Sequence, residues 1–326
     1  MSWRLFPVAT DPERKGDTMP VDSDKTTAST IVVGADGSEH SRQAVNWACD
    51  EADRRGSLLR ILFAENRPPK HVPPWYEESA TGVTAGQAVV DDAFGLVADR
   101  NPEVLARAEV VGRAPASVLT EASRTADLLV VGARGIGGFE GLLLGSVSDQ
   151  CIQYSHCPVV VVSEGPDELP THRIPRVVVG IDGSFDSSLA LHWALDEARI
   201  RSASVEAIYA WQYPPIGAFI LGPTEGFEAT GKELVDGANA FRDRWAPDVP
   251  FRAAAHFGAT VPSLLDASRG SDLLVLGSGG HGAFRDALLG SVAHQCARHA
   301  RGAVVVIRPP LSSVKPSLAD PVAGVR

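Results

Sequence analysis

The sequence predicts an α/β protein made of two tandem domains, each with a five-stranded parallel sheet and helices on both faces. The first observation is an internal repeat, because residues 31–52 align with residues 177–198 and residues 132–150 align with residues 277–295. The second is that short β-branched runs alternate with helical stretches, which is typical of parallel sheets with right-handed crossovers. The third is that these runs are continuously apolar, as in strands buried on both faces.

The elements of the first copy follow this pattern in order. The predicted strands are Ile31–Ala35, Leu58–Ala64, Leu105–Val111, Leu128–Gly132 and Val159–Val162. The predicted helices are Glu39–Arg55, Ala85–Arg100, Pro115–Arg124 and Ser146–His156. In the first of these helices, alanines and a valine recur at helical spacing, so that one face is apolar. In such a sheet, ligands bind beyond the carboxyl ends of the strands, where the strand order reverses.

The repeat also sets the domain boundaries, since repeats of this length are duplicated domains and not solenoid units. Domain 1 spans residues 30–164 and domain 2 spans residues 174–308. The joint SEGPDELPTHRIP is rich in proline, and we interpret residues 165–173 as a linker. Residues 1–28 are polar and aperiodic and are predicted to be a disordered tail, and residues 309–326 form a tail of the same character.

The composition excludes several classes of protein. The chain has 326 residues, of which 44% are hydrophobic and 21% are charged, as in soluble globular proteins. Its formal net charge of −10 and the lack of a basic cluster argue against a nucleic-acid partner. No apolar run is long enough for a membrane span and the N-terminus lacks a signal peptide, so we expect a cytoplasmic protein. Without CxxC spacing, the four cysteines are predicted to be buried or half-buried thiols.

Two glycine-rich loops are the strongest functional signal. The loop GARGIGGFEGLLLGSVSDQ begins at Gly132 and the loop GSGGHGAFRDALLGSVAHQ begins at Gly277, with ten of nineteen positions identical. Each loop follows a strand and opens into a helix, and glycines let backbone N–H groups approach an anion closely. Ser146 and Ser291 begin the helices that follow, where the helix dipole favours phosphate.

The alternative is that Gly-Ser is an ordinary helix entry and that the other glycines are turn residues. The same spacing in both copies favours the phosphate interpretation. No GxxxxGK[ST] motif occurs, so no P-loop lysine is available, and neither loop places a general base beside a nucleophile.

An aspartate follows the first strand of each copy. The motifs GADGS and GIDGS contain Asp36 and Asp182. Each carboxylate either accepts hydrogen bonds from ribose hydroxyls or an adenine amino group, or forms a helix cap or Asx turn. The phosphate loop predicted on a neighbouring strand favours the ligand role. No histidine spacing suggests a metal site.

Two sets of aromatic residues have different interpretations. Trp47 and Trp193 occupy the same helix position in the two copies, which indicates packing. Trp211 and Tyr213 follow the second strand of copy two, where they either border a ligand or pack in the core or at an interface.

The glycine pattern G-2x-G-9x-G-[S/T] occurs intact in both loops. Its positions are Gly132, Gly135, Gly145 and Ser146, then Gly277, Gly280, Gly290 and Ser291. Together with the strand-end aspartate and the final strand CPVVVV, it resembles the ATP-binding branch of the universal stress protein family, in the tandem two-domain form familiar from actinobacteria. The resemblance covers residues 30–308. It implies Rossmann-like sheets with strand order 3-2-1-4-5 and one ATP, with or without Mg²⁺, in each domain.

The resemblance also implies roles for individual residues. Asp36 and Asp182 hold adenine or ribose, and the backbone of Ala64 and Ala210 meets the adenine edge. The residues that wrap the phosphates are Gly132, Arg134, Gly135, Gly145, Ser146 and Val147 in copy one, and Gly277, Gly279, Gly280, Gly290, Ser291 and Val292 in copy two. Gly34 and Gly180 complete the predicted cofactor-binding set. Gly279 replaces Arg134 in copy two, which implies that the second domain binds phosphate more weakly.

Members of the family pair through their last strands. We therefore expect Pro158–Val162 and Ala303–Ile307 to pair within the chain as a pseudo-dimer, which dimerises again as a homodimer.

Three functions remain open from the sequence. The first is a nucleotide-dependent stress and growth regulator with little or no turnover, acting on an unidentified protein partner. The second is a slow ATP hydrolase or nucleotidyl transferase, although the HIGH-type and SGGxDS-type signatures of such enzymes do not occur. The third is an interaction module that has lost its nucleotide, against which the complete loops argue.

Overall fold

The computed structural model describes residues 29–65, 80–136, 144–163, 173–212, 225–280 and 289–309, with the backbone alone for residues 80–85 and 225–227. The predicted tails and linker lie outside these ranges except at their inner ends, and so do Tyr213 and the central part of each glycine loop. No helix within the described ranges is long and apolar enough to cross a membrane.

Strands and helices alternate through both halves of the described chain. The first half comprises β1 (Thr30–Gly34), α1 (Glu39–Arg55), β2 (Leu58–Ala64), α2 (Ala80–Arg100), β3 (Ala106–Val111), α3 (Pro115–Ala122), β4 (Leu128–Gly132), α4 (Ser146–Tyr154) and β5 (Val159–Val162). The second half comprises β6 (Arg176–Gly180), α5 (Phe185–Arg201), β7 (Ser204–Trp211), α6 (Glu225–Trp245), β8 (Phe251–Phe257), α7 (Thr260–Ser268), β9 (Leu273–Gly277), α8 (Ser291–His299) and β10 (Ala303–Ile307). The elements predicted for the first copy are confirmed, with shifts of one or two residues at some ends and with α2 starting at Ala80 instead of Ala85.

The strands form one continuous sheet in the order β3-β2-β1-β4-β5-β10-β9-β6-β7-β8. Each half is parallel with the predicted 3-2-1-4-5 order. The junction between β5 and β10 is antiparallel, with Val162 opposite Ala303 and Val159 opposite Val306. The expected pairing of the last strands within the chain is therefore confirmed, and it relates the halves by a pseudo-two-fold axis. The further homodimer remains a prediction.

Of the eight described helices, four cover each face of the sheet. One apolar layer includes Ala44 of α1 and Ala194 of α5, and buried residues of α2 and α6 also belong to it. The other layer includes Cys151 of α4 and Cys296 of α8, and it also receives α3 and α7. All four cysteines are buried, as predicted. Burial raises the pKa of Cys151 and of Cys296 to about 12, so these thiols are packing groups.

The prediction that every strand is buried on both faces is wrong for β3. This strand ends the sheet, so it has a neighbour on one side only, and Arg107 is exposed. Glu109 accepts a hydrogen bond from Arg60 of β2 at 2.9 Å. An edge strand needs such polar side chains, because an apolar edge would pair with other chains.

Two helices are also predicted to extend too far at their C-terminal ends. Helix α3 ends at Ala122 instead of Arg124, and α4 ends at Tyr154 instead of His156. Ser155 adopts an extended conformation with ψ of 156°, which turns the chain toward Pro158 and β5. Pro158 disfavours helical geometry at Cys157, which sets an outer limit for the helix, and Ser155 ends it two residues earlier.

A cluster of two buried carboxylates and two largely covered guanidiniums joins the two halves where α1 meets α5. Arg55 of α1 contacts both Glu51 and Glu197, and Arg201 of α5 contacts the same two carboxylates. Glu51 is 0% exposed and Glu197 is 1% exposed. Burial opposes the charge of Glu51, but Arg201 and Arg55 outweigh it and hold the pKa of Glu51 below its usual range. We call these residues the charge quartet.

The repeated tryptophans cover the charge quartet symmetrically. The guanidinium of Arg201 lies 5.3 Å from the ring centre of Trp47, and that of Arg55 lies 5.9 Å from the ring centre of Trp193. Each tryptophan therefore packs against an arginine from the other half. The packing role predicted for both tryptophans is confirmed.

Candidate functional site

The predicted site residues of each half gather at the carboxyl edge of the sheet. In the first half, β1 lies between β2 and β4, so the loops after these three strands emerge side by side. The strand-end residues at this edge are Ala64, Asp36 and Gly132 in the first half, and Ala210, Asp182 and Gly277 in the second. This edge is the point where the strand order reverses, which is the expected ligand position.

Asp36 and Asp182 do not cap the helices that follow them. The N-caps are Ser38 and Ser184, and the hydroxyl of Ser38 accepts a hydrogen bond from the backbone N–H of Ser41 at 3.2 Å. The helix-cap alternative is therefore wrong for both aspartates.

Both aspartates form Asx turns, and their contact with a ligand remains a prediction. Asp36 Oδ1 accepts from the backbone N–H of Ser38 at 2.9 Å, and Asp182 Oδ1 accepts from that of Ser184 at 2.9 Å. The other oxygen of Asp36 reaches the glycine loop, where it accepts from the N–H of Ile136 at 3.0 Å.

The first loop glycines leave space for these carboxylates. A Cβ atom on Gly135 would lie 2.2 Å from Asp36 Oδ2, and one on Gly280 would lie 2.7 Å from Asp182 Oδ2. Such distances are far below van der Waals contact. In both halves, the strand-end carboxylate therefore lies directly against the backbone of the glycine loop.

Four other predicted glycines have a packing role that sequence reasoning did not anticipate. A Cβ atom on Gly132 would lie 2.7 Å from the carbonyl carbon of His40, and one on Gly277 would lie 2.6 Å from that of Asp186. These glycines let the first turns of α1 and α5 pack on the ends of β4 and β9. Gly34 and Gly180 similarly leave room for leucine side chains. Their contact with a ligand remains a prediction.

The last glycine of each pattern begins the helix that follows the loop. Gly145 and Gly290 are the N-caps of α4 and α8, and neither helix has a side-chain cap. The N–H of Gly145 donates to the carbonyl of Ala133 at 2.7 Å, and that of Gly290 donates to Ser278 at 2.7 Å. These bonds hold each helix start beside the end of the preceding strand.

The first turns of α4 and α8 present backbone donors at this edge. Ser146 and Ser291 are exposed first residues, while Val147 and Val292 are half-buried and pack on the core. The first N–H groups of a helix lack partners within that helix. An anion placed there accepts hydrogen bonds from these N–H groups and is stabilised by the positive end of the helix dipole.

Sequence reasoning identified Arg134 but missed the residues that approach the loops from α1 and α5, His40 and Asp186. In the first half, Arg134 Nη2 lies 3.1 Å from Nε2 of His40. In the second half, Asp186 is only 7% exposed, and its Oδ2 accepts from the hydroxyl of Ser278 at 3.0 Å. A comparison of GSEHS with GSFDS would have shown that His40 and Asp186 are equivalent positions.

Trp211 is the last residue of β7 and borders a different cleft. Trp211 packs edge-to-face on the exposed Phe257, with ring centroids 5.0 Å apart. A cleft of about 420 Å³ lies between this pair and α6, where Gly231 and Lys232 line it. It contains none of the predicted site residues. Within the described ranges, no group of three or more His, Cys, Asp or Glu side chains could hold a metal ion.

This geometry agrees with the comparison to known proteins. The chain belongs to the universal stress protein family, whose model matches residues 27–163 and residues 173–308. It is therefore a tandem protein with two universal stress domains.

Several known proteins are similar to this chain. A universal stress protein of Mycolicibacterium smegmatis is 34% identical over 86% of this chain and 97% of its own length. The crystal structure of a universal stress protein from Archaeoglobus fulgidus is 19% identical, covers 86% of this chain and 96% of that chain, and has a TM-score of 0.61. A universal stress protein in complex with cAMP is 29% identical, covers 42% of this chain and 97% of that chain, and has a TM-score of 0.34.

Proposed function

We propose that this chain binds ATP at both strand edges and acts as a nucleotide-dependent regulator of stress and growth, with little or no turnover. One observation carries the proposal. In both halves, a strand-end carboxylate lies against a loop glycine, and a helix without a side-chain cap starts from the same loop. The repetition matters, because a single such loop is a common helix entry.

The residues fit an adenine nucleotide. Asp36 and Asp182 supply carboxylates that accept from ribose hydroxyls or the adenine amino group, and the backbone after Ala64 and Ala210 borders the base. The phosphates lie at the loop glycines and the first turn of each following helix. About four N–H bonds to charged oxygens, at about 1.5–3 kcal/mol each, suffice for binding without a lysine. Mg²⁺, where it accompanies the nucleotide, adds positive charge between the phosphates.

A regulatory role follows from the way the sites are built. Both sites are formed by backbone groups and turns that bind and orient a nucleotide. In the second half, the Ser278 hydroxyl donates to Asp186, but both residues are buried, so this hydroxyl is not presented to a substrate. The continuous sheet joins both sites in one body, so occupancy of either changes a surface that a protein partner can recognise. We expect phosphate release from ATP to stay well below roughly 1 per second, the low end of ordinary enzyme turnover.

The first test is direct. Purified protein should release adenine nucleotide when it is denatured, and protein stripped of nucleotide should give saturable heat with ATP in a calorimeter. ADP, AMP and cAMP belong in the same titration series. The proposal fails if no nucleotide is released and no adenylate gives saturable heat.

The second test separates binding from folding. The double variant Ser146→Asp/Ser291→Asp places a carboxylate in the first turn of α4 and of α8. Because a negative charge there favours the helix by about 0.3–1 kcal/mol, the melting temperature without nucleotide should hold or rise. ATP binding should be lost, because the carboxylates repel the phosphates.

A matched control uses the exposed glutamines one turn further along the same helices. The variant Gln150→Glu/Gln295→Glu adds the same charge away from the helix start and should bind ATP nearly as the unmodified chain does. Equal ATP affinity in the serine variant and in this control would contradict the proposed phosphate position.

A further inference from the structure

The two sides of the junction between β5 and β10 are built differently. On the side of α1 and α5, the charge quartet is symmetric, because Glu51 and Arg55 align with Glu197 and Arg201 in the repeat. Two first halves from different chains, or two second halves, would therefore form the same quartet. For this reason the quartet does not determine which halves pair with each other.

On the opposite face of the sheet, α4 and α8 bring two unlike residues together. Asp149 and His294 occupy equivalent positions in the repeat, and they meet across the junction. The Nε2 atom of His294 lies 3.1 Å from Oδ1 of Asp149. Because equivalent positions are in contact here, a pairing of like halves would bring identical side chains together. Two first halves would place two aspartates in contact, and two second halves would place two histidines in contact.

The Asp149 carboxylate is held with one oxygen toward α8. Gln153 Nε2 donates a hydrogen bond to Asp149 Oδ2 at 2.8 Å. The other oxygen, Oδ1, is buried, and no donor within the described ranges makes an aligned hydrogen bond to it, so its contact with His294 is electrostatic. A second carboxylate in place of His294 would be repelled, because solvent screens charges weakly at such a short and partly covered distance.

The residues that follow the last strands also differ between the halves. Ser163 and Arg308 are equivalent positions, and each donates to the backbone of the other half, Ser163 at 2.7 Å and Arg308 to the carbonyl of Ile152 at 3.3 Å. Arg308 also interacts electrostatically with Tyr154 of the first half. The position equivalent to Tyr154 is His299, so a pairing of two second halves would place Arg308 near a histidine.

We infer that Asp149 and His294 are specificity-determining residues of the junction. They favour the pairing of a first half with a second half, and they disfavour the pairing of like halves from two chains. Selection of this kind needs a repulsive contact in the wrong pair as well as an attractive one in the correct pair. A homodimer of this chain therefore uses a surface other than the edges of β5 and β10, which are paired with each other. Nucleotide binding plays no part in this selection.

Variants of the full chain reproduce each like pair. His294→Asp creates the pair of two aspartates, Asp149→His creates the pair of two histidines, and the double exchange restores an unlike pair. Thermal and urea unfolding of the four proteins at about pH 5.5, below the pKa of about 6.5 of an ordinary histidine, form a double-mutant cycle. The double variant should melt at least ~2 °C above the temperature expected from the sum of the two single shifts.

The cycle removes local effects of the substitutions. An aspartate in the first turn favours either helix start, and Arg298 lies one turn after His294. These contributions enter a single variant and the double variant alike, so they cancel. Amide hydrogen exchange of β5 and β10 reads the junction itself, and it should be faster in both single variants than in the double variant. If a single variant fails to fold while the double variant folds, the two positions are coupled all the same.

A matched control is the pair of Lys232 and Asp236, which lie 2.7 Å apart on the exposed face of α6 within the second half. Exchanging their charges should give nearly additive shifts and leave amide exchange of β5 and β10 unchanged. Additive shifts in the cycle of Asp149 and His294 would overturn the inferred selection. Amide exchange at β5 and β10 that stays unchanged in both single variants would overturn it as well.

Discussion

Replacing Glu51 by glutamine tests whether the charge quartet stabilises the junction of the halves. Glu51 has no exposed surface and contacts both Arg55 and Arg201. Without its charge, Glu197 alone faces two guanidiniums, so a net positive charge stays buried. Breaking a buried pair in this way costs about 3–5 kcal/mol. Because Arg55 is 17% exposed and reaches some water, we expect the lower value, about 3 kcal/mol.

The assay is equilibrium unfolding in urea, followed by circular dichroism and by tryptophan fluorescence. The midpoint should fall with little change in slope, and the melting temperature should fall by roughly 6–12 °C. The matched control is Glu121→Gln, which removes an exposed carboxylate 3.2 Å from Arg124 and should cost less than about 1 kcal/mol. If Glu51→Gln and Glu121→Gln cost the same, the charge quartet does not stabilise this junction.

Other predictions concern the glycines and the thiols. Gly132→Ala should destabilise the fold by about 1–3 kcal/mol in thermal denaturation, because its Cβ would meet the backbone of α1 at 2.7 Å. Gly95→Ala is its control, since nothing lies within 4 Å and alanine favours a helix, so an equal loss in both would contradict this reasoning. Burial raises the pKa of Cys151 to about 12, so below pH 9 the buried thiols should resist a thiol reagent until urea is added. Rapid labelling of the native chain would show that they are accessible.

The repeat made most of the fold predictable. Two aligned copies reveal the tandem domains, and apolar runs between helical stretches reveal a parallel sheet. The burial of β3 was wrongly predicted, although Arg107 and Glu109 interrupt its apolar run and the expected order 3-2-1-4-5 already placed this strand at the edge of the sheet. The pairing of β5 with β10 was expected only from the family resemblance, and its antiparallel direction was not predicted.

The candidate sites were predictable in part. The glycine spacing identified both loops, and the aspartates were correctly associated with them, although the helix cap belongs to Ser38. The packing role of Gly132 was not predictable, since it depends on how closely α1 approaches the end of β4. Asp186 was missed for a similar reason, because in the sequence it is an ordinary helix residue.

By itself, the sequence determined the elements, their duplication and the loops that carry the proposed nucleotide sites, because hydrophobic periodicity and glycine spacing are local properties of the chain. The tertiary structure alone decided which side chains from distant positions meet. The charge quartet joins residues on two helices from different halves, and the contrast between His40 and Asp186 gains meaning from the loop beside each. Contacts of this kind depend on distances between elements, which no local pattern of residues specifies.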